Sequence, residues 1–271
     1  MRFERTVLLA ALAVSAAACS SDTKGVTNPS GPLAYIRYVE AMPDTGSVDF
    51  RAVDIVENLN ANNVNYGYVG AYQGVQPGAR HFKVFVDMGS TDINVVTQVM
   101  KDTTLTLDAG TYYTILHTGF ARTGNSPKQH LQVITDSPAS PSGTQFAMRT
   151  LLASPGPLAA VDVYTTSDTT SALPGSPTYA AVAYGTPSSY SSFATGSMFL
   201  RITQSSNTTV LTNSLVLPGA PANGVTSPIP GSTIGGSVLT AFIFAPNDTV
   251  TANKATKLTS PKVSYAIDKR P

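Results

Sequence analysis

Short runs of β-branched and aromatic residues, broken every few positions by Gly, Pro, Asn, Asp or Ser, fill the chain from Leu33 onward. Examples are Ala34-Tyr35-Ile36-Arg37-Tyr38-Val39, His81-Phe82-Lys83-Val84-Phe85-Val86 and Thr111-Tyr112-Tyr113-Thr114-Ile115-Leu116. Later come Val161-Asp162-Val163-Tyr164, Phe199-Leu200-Arg201-Ile202 and Val238 to Phe244. Such runs suit a pleated, partly buried surface, and the punctuating residues supply turns. They predict an all-β fold. The only helix-like spacing is Val53, Val56 and Leu59, and a helix there is optional.

The runs recur in two series, which predicts two domains of one fold. Arg37 to Asp49 parallels Arg149 to Asp162 with one inserted residue, setting Ala41-Met42-Pro43 beside Ala153-Ser154-Pro155. Tyr66-Gly67 parallels Tyr184-Gly185, Tyr72 meets Tyr190, and the closing strands Leu131 to Asp136 and Val263 to Asp268 correspond. Ser137-Pro138-Ala139-Ser140-Pro141-Ser142-Gly143 reads as a linker. The expected domains are 33–136 and 146–271, joined by 137–145. Where the first series turns in three residues, Asp108-Ala109-Gly110, the second carries Leu217 to Ser232 with four prolines, which predicts a surface excursion.

An Arg-bearing strand, Ala-x-Pro, Val-Asp, Tyr-Gly, a Gly turn into a strand and a late Ala-Gly-Thr-Tyr-Tyr-Thr together resemble the domain of unknown function 4397 family. Ala41, Pro43, Asp44, Val48, Asp49, Tyr66, Gly67, Gly78 and Gly110 to Thr114 carry the pattern. The second series departs from it, with Gly156 in place of the Asp and Gly235-Gly236-Ser237 before its late strand. The resemblance implies tandem antiparallel β-sandwiches, immunoglobulin-like or transthyretin-like, often on bacterial lipoproteins, with no established activity.

The N-terminus reads as an export signal over 1–18. Arg2 and Arg5 precede an apolar run from Val7 to Val14 and the small residues Ser15 to Ala18. The run is shorter than the ~18 residues of a membrane span. Cys19 follows, the one cysteine of the chain. The small residues before it resemble the lipobox of bacterial lipoproteins, which implies cleavage before Cys19 and its acylation with palmitate-type chains. Residues 19–32 then form the lipidated cysteine and a polar tether. Ser20 in place of Asp implies delivery to the outer membrane of the cell envelope. Removing Arg2, Arg5 and Glu4 from 17 basic and 16 acidic residues leaves 15 of each. A neutral chain without basic clusters is not suited to nucleic acid, so the expected attachment is to membrane, through the lipid.

Catalytic signatures are missing from the sequence. His81, His117 and His130 lie on separate segments without metal-ligand spacing. No nucleophile elbow or phosphate loop occurs. A non-catalytic protein without metal or cofactor is expected. Asp44, Asp49 and Asp162 suit turn and strand-end roles better than calcium ligation. Asn247-Asp248-Thr249 fits a glycosylation sequon, a coincidence in a bacterial protein. Tyr66, Tyr68 and Tyr72 share parity along one extended segment and form the candidate ligand-binding stripe, able to stack on sugar rings if that segment is a regular strand. The repetition of Tyr66 and Tyr72 as Tyr184 and Tyr190 favours packing instead, whereas Thr186 replaces Tyr68. The sequence thus supports an envelope-anchored structural, adhesive or binding module whose partner is a polysaccharide or an envelope protein. A carbohydrate-binding protein using exposed tyrosines is the alternative, and a hydrolase with an unrecognised site stands last.

Overall fold

Among the described residues the alternating runs become sixteen short strands and a single helical turn. The computed structural model describes residues 31–56, 58–247 and 256–271, so the export signal, Cys19 and nearly all of the tether lie outside the described residues. Strands β1 (Ala34–Glu40), β2 (Val48–Ala52), β3 (Tyr68–Val69), β4 (Gln73–Val75), β5 (Gly78–Val86), β6 (Val99–Leu107), β7 (Tyr112–Thr118) and β8 (His130–Asp136) make up the first half. Strands β9 (Gln145–Leu152), β10 (Ala160–Thr166), β11 (Tyr179–Ala183), β12 (Ser191–Ala194), β13 (Phe199–Gln204), β14 (Val210–Leu215), β15 (Val238–Phe244) and β16 (Lys262–Lys269) make up the second.

Each half is a sandwich of two sheets. In the first, the order β3-β1-β7-β8, with β4 also on β1, faces β2-β5-β6; in the second, β12-β9-β15-β16 faces β11-β10-β13-β14. Ile36, Tyr38 and Ile115 of one sheet meet Phe50, Phe82 and Val84 of the other in the first core. Met148, Leu239 and Ala241 meet Val161, Leu200 and Ile202 in the second. The antiparallel expectation needs one correction, because β1 runs parallel to β7 and β9 parallel to β15. β7 and β15 each arrive from the opposite sheet instead of through a hairpin, so no tight turn forces them antiparallel to their neighbour.

The two halves belong to one compact unit, Leu33–Pro271. The β1-bearing sheet packs face to face on the β9-bearing sheet through a third core, which includes Val39, Leu116, Ile134, Leu151, Phe242 and Phe244. Four layers result. The two inner sheets are covered on both faces, which is why all seven residues of β15 are buried and why the central strands read as near-continuous apolar runs.

The optional helix does not form. Val53 and Val56 are exposed and only Leu59 is buried, while Asn60 and Asn63 adopt positive φ and turn the chain back. The helical turn lies instead at α1 (Ile93–Val96), where Asp92 caps the backbone N–H of Asn94. The proline-rich excursion carries its own neck. Ala220 pairs with Ile229, the backbones of Gly219 and Gly231 touch, and residues 221–227 beyond are exposed.

Candidate functional site

Charge is buried where the two inner sheets meet. Alternation along β1 turns Ala34, Ile36 and Tyr38 into the first core and sends Tyr35, Arg37 and Val39 to the other face. Arg37 Nη1 donates to Asp268 Oδ1 at 2.6 Å, and its Nε donates to Thr114 Oγ1 at 2.8 Å. Thr114 donates in turn to Asp136 Oδ2 at 2.6 Å. The second half answers with the same parts. Arg149 pairs with Asp136 and donates through Nε to Thr240 at 2.9 Å, and Thr240 donates to Asp268 Oδ2 at 2.6 Å.

A tyrosine closes each side. Tyr72 donates to Asp136 at 2.7 Å and Tyr190 to Asp268 at 2.8 Å. The Arg37 guanidinium lies 4.6 Å from the Tyr72 ring centroid, and that of Arg149 lies 4.8 Å from Tyr190. Burial acts to lower the Arg37 pKa, but the facing Asp268, Tyr72 and Asp136 more than offset it and leave it raised. Two cations and two anions balance. The carboxylates are occupied by guanidinium and hydroxyl donors, so the cluster clamps the two inner sheets together.

Beside the clamp opens a cavity of about 710 Å³. Tyr35, Tyr72 and Tyr112 line it, together with Asp268, Lys269 and Arg270 of β16 and its end. Tyr35 and Tyr112 are register partners on β1 and β7. Their rings stack at 4.6 Å between centroids and 12° between planes, and Tyr72 meets Tyr112 edge-on at 5.0 Å. The volume is that of ordinary small-ligand sites, ~300–1,000 Å³.

The predicted tyrosine stripe does not assemble. Gly67, at φ +87°, turns the chain after Tyr66, and Gly70 hydrogen-bonds back to the Tyr38 carbonyl, so the segment is not one regular strand. Tyr66 is buried between the halves, with its hydroxyl on Ser154 and on the Ala245 carbonyl. Tyr68 donates to the Asn60 carbonyl and lines a second hollow, which Tyr66 also reaches. Tyr72 alone of the three reaches the aromatic cavity.

The acids hold backbone. Asp44 accepts from the amides of Ala121 and Arg122, Asp49 from Asn63, and Asp162 from Ala181 and Ser206. The histidines stay apart. His81 pairs with exposed Asp102, His130 contacts the Lys128 carbonyl, and buried His117 lies 2.8 Å from Glu40. Among the described residues no group of three or more His, Cys, Asp or Glu could hold a metal ion. The Asn247 side chain is buried against Pro43, Thr256 and Leu258, a structural role. Among the described residues no helix is long and apolar enough to cross a membrane.

Neither the clamp nor the Tyr35–Tyr112 pair was singled out by motif. A signal for the clamp exists in the sequence: Arg37 and Arg149, and Asp136 and Asp268, lie in strand-like runs of similar pattern. No curated protein matches the chain. Residues 34–164, the first half with β9 and most of β10, match the model of the family described as Domain of unknown function (DUF4397), in support of the resemblance carried by Ala41, Pro43, Tyr66 and Gly67.

Proposed function

We propose that the chain is a non-catalytic binding module of the bacterial cell envelope, held at the outer membrane by lipid on Cys19 and built from two tandem copies of one sandwich. The second copy extends the family resemblance beyond residue 164, because its register repeats the first: Arg37 faces Thr114 as Arg149 faces Thr240. Several acyl chains on one residue anchor durably, whereas a single chain binds only marginally. The observation that carries the binding reading is the aromatic cavity. It presents stacked rings beside carboxylates that already have their partners, an arrangement that can hold a ligand but supplies no general acid or base. Cys19→Ser tests the anchor. Labelling by a palmitate analogue should vanish and the protein should move from the membrane to the soluble fraction; unchanged membrane association would refute the lipoprotein assignment.

A further inference from the structure

The clamp relates the halves residue by residue, and that relation separates what the fold requires from what one half has added. Tyr72 and Tyr190 correspond, and each bonds a clamp aspartate. Tyr35 and Tyr112 do not recur. The equivalent register pair in the second half is Ala147 and Val238, two residues before Arg149 and Thr240 as Tyr35 and Tyr112 are two before Arg37 and Thr114. A β-sandwich of this kind therefore forms without stacked tyrosines at that position; Ala147 and Val238 are fully buried, whereas Tyr35 and Tyr112 keep part of their surface open. Their hydroxyls make no hydrogen bond to any described residue, in contrast to those of Tyr72 and Tyr190. Both rings are half-buried, so part of each is presented to the cavity.

Charge at the cavity is one-sided. Its lining acid, Asp268, is committed to Arg37, Thr240 and Tyr190. Lys269 and Arg270 are exposed; the Lys269 ammonium donates to the Ser140 hydroxyl, and Arg270 has no ion-pair or side-chain hydrogen-bond partner among the described residues. Stacked phenol rings suit a ligand with an apolar face and a polar edge, free hydroxyls suit a polyhydroxylated one, and two unneutralised cations suit an anionic one. We infer that the cavity lined by Tyr35, Tyr72, Tyr112, Lys269 and Arg270 is a binding site for an acidic saccharide, a pyranose unit bearing a carboxylate. The ring lies against the tyrosines and the carboxylate against Arg270 and Lys269. This rests on the binding-module reading and names its ligand class.

The test uses the full chain in detergent, with trigalacturonate as the acidic probe and maltotriose as its neutral counterpart, followed by calorimetry and by tyrosine fluorescence, which is clean because the chain has no Trp. Trigalacturonate should bind saturably and at least about tenfold more tightly than maltotriose, a difference of ~1.4 kcal/mol. Tyr35→Ala with Tyr112→Val installs the residues of the second half. It should keep the melting temperature within a few degrees and weaken trigalacturonate by about tenfold or more. Should that pair unfold the protein, Lys269→Gln with Arg270→Gln, both exposed, should still bring trigalacturonate down to the maltotriose level. No saturable binding, equal binding of the two sugars, or a folded tyrosine variant with full affinity would each overturn the assignment. A chain that takes up palmitate label yet binds neither sugar would sink this site and leave the anchor standing.

Discussion

Arg37 and Asp268 meet at 2.6 Å although 231 positions separate them in the chain. The pair joins the first strand of one half to the last strand of the other, and Arg149 with Asp136 makes the reciprocal join. Both Arg37 and Asp268 side chains are fully buried. Removing one partner of a buried pair leaves an uncompensated charge, which costs ~3–5 kcal/mol, although replacing both with apolar groups can be nearly neutral. Asp268→Ala should therefore lower the urea-unfolding free energy by about 3 kcal/mol. An Arg37→Met/Asp268→Leu double variant should recover much of that loss. A single substitution costing under about 1 kcal/mol would show the pair to be solvated.

The clamp surface is self-complementary, since the first half offers both Arg37 and Asp136 and the second offers both Arg149 and Asp268. A fragment of residues 33–138 should accordingly pair with a second copy of itself about a two-fold axis. Sedimentation should find a dimer, and Arg37→Ala should abolish it. A stable, cooperatively melting monomer would show that the third core is dispensable.

Tyr66 ties the halves together and lies outside the aromatic cavity. Tyr66→Phe leaves the buried Ala245 carbonyl without its hydroxyl donor, at a cost of about 1–2 kcal/mol. Trigalacturonate affinity should not change, because Tyr66 does not line the aromatic cavity. A loss of affinity without loss of stability would return Tyr66 to the binding surface.

The proline-rich excursion has a stiff neck and an open tip. A Cβ on Gly231 would lie 2.2 Å from the Gly219 nitrogen, whereas one on Gly224 would meet nothing within 4 Å. Gly231→Ala should lower stability by about 1–3 kcal/mol, and Gly224→Ala should leave the melting temperature where it is. Equal melting temperatures for the two variants would refute the packed neck.

Alkali should unfold the protein. Burial raises the pKa of Tyr66, Tyr72, Tyr179, Tyr190 and Tyr265 well above the usual phenol value, and burial with the adjacent Glu40 does the same for Tyr38. A group whose folded-state pKa is raised contributes its full stability below the unfolded value, about 10 here, and loses it as pH climbs toward the folded one, at ~1.4 kcal/mol per pH unit for each tyrosine. Six such groups together should exhaust a stability of ~5–15 kcal/mol within about two units. Absorbance near 295 nm should therefore rise in a cooperative step, coincident with loss of circular dichroism, above pH ~10.5. A gradual, non-cooperative titration in a protein that stays folded would contradict the buried hydroxyls.

Short alternating runs fixed the class of the fold by themselves, because period-two burial and frequent turn residues leave no other regular structure open to this chain. The matching places of Arg37 and Arg149, and of Asp136 and Asp268, were also legible in the chain. What stayed hidden was the face on which each residue would act. The parity of Tyr66, Tyr68 and Tyr72 held only for an unbroken strand, and the turns at Gly67 and Gly70 left Tyr66 and Tyr68 on one hollow and Tyr72 on the aromatic cavity. Tyr35 and Tyr112 lie 77 residues apart in number, and only the parallel β1–β7 ladder, a pairing no hairpin signals, sets their rings at 4.6 Å. The same holds for Arg37 and Asp268. Local propensity decides strand and turn, but contacts between distant segments depend on which sheets stack, and that is settled by the whole buried surface at once.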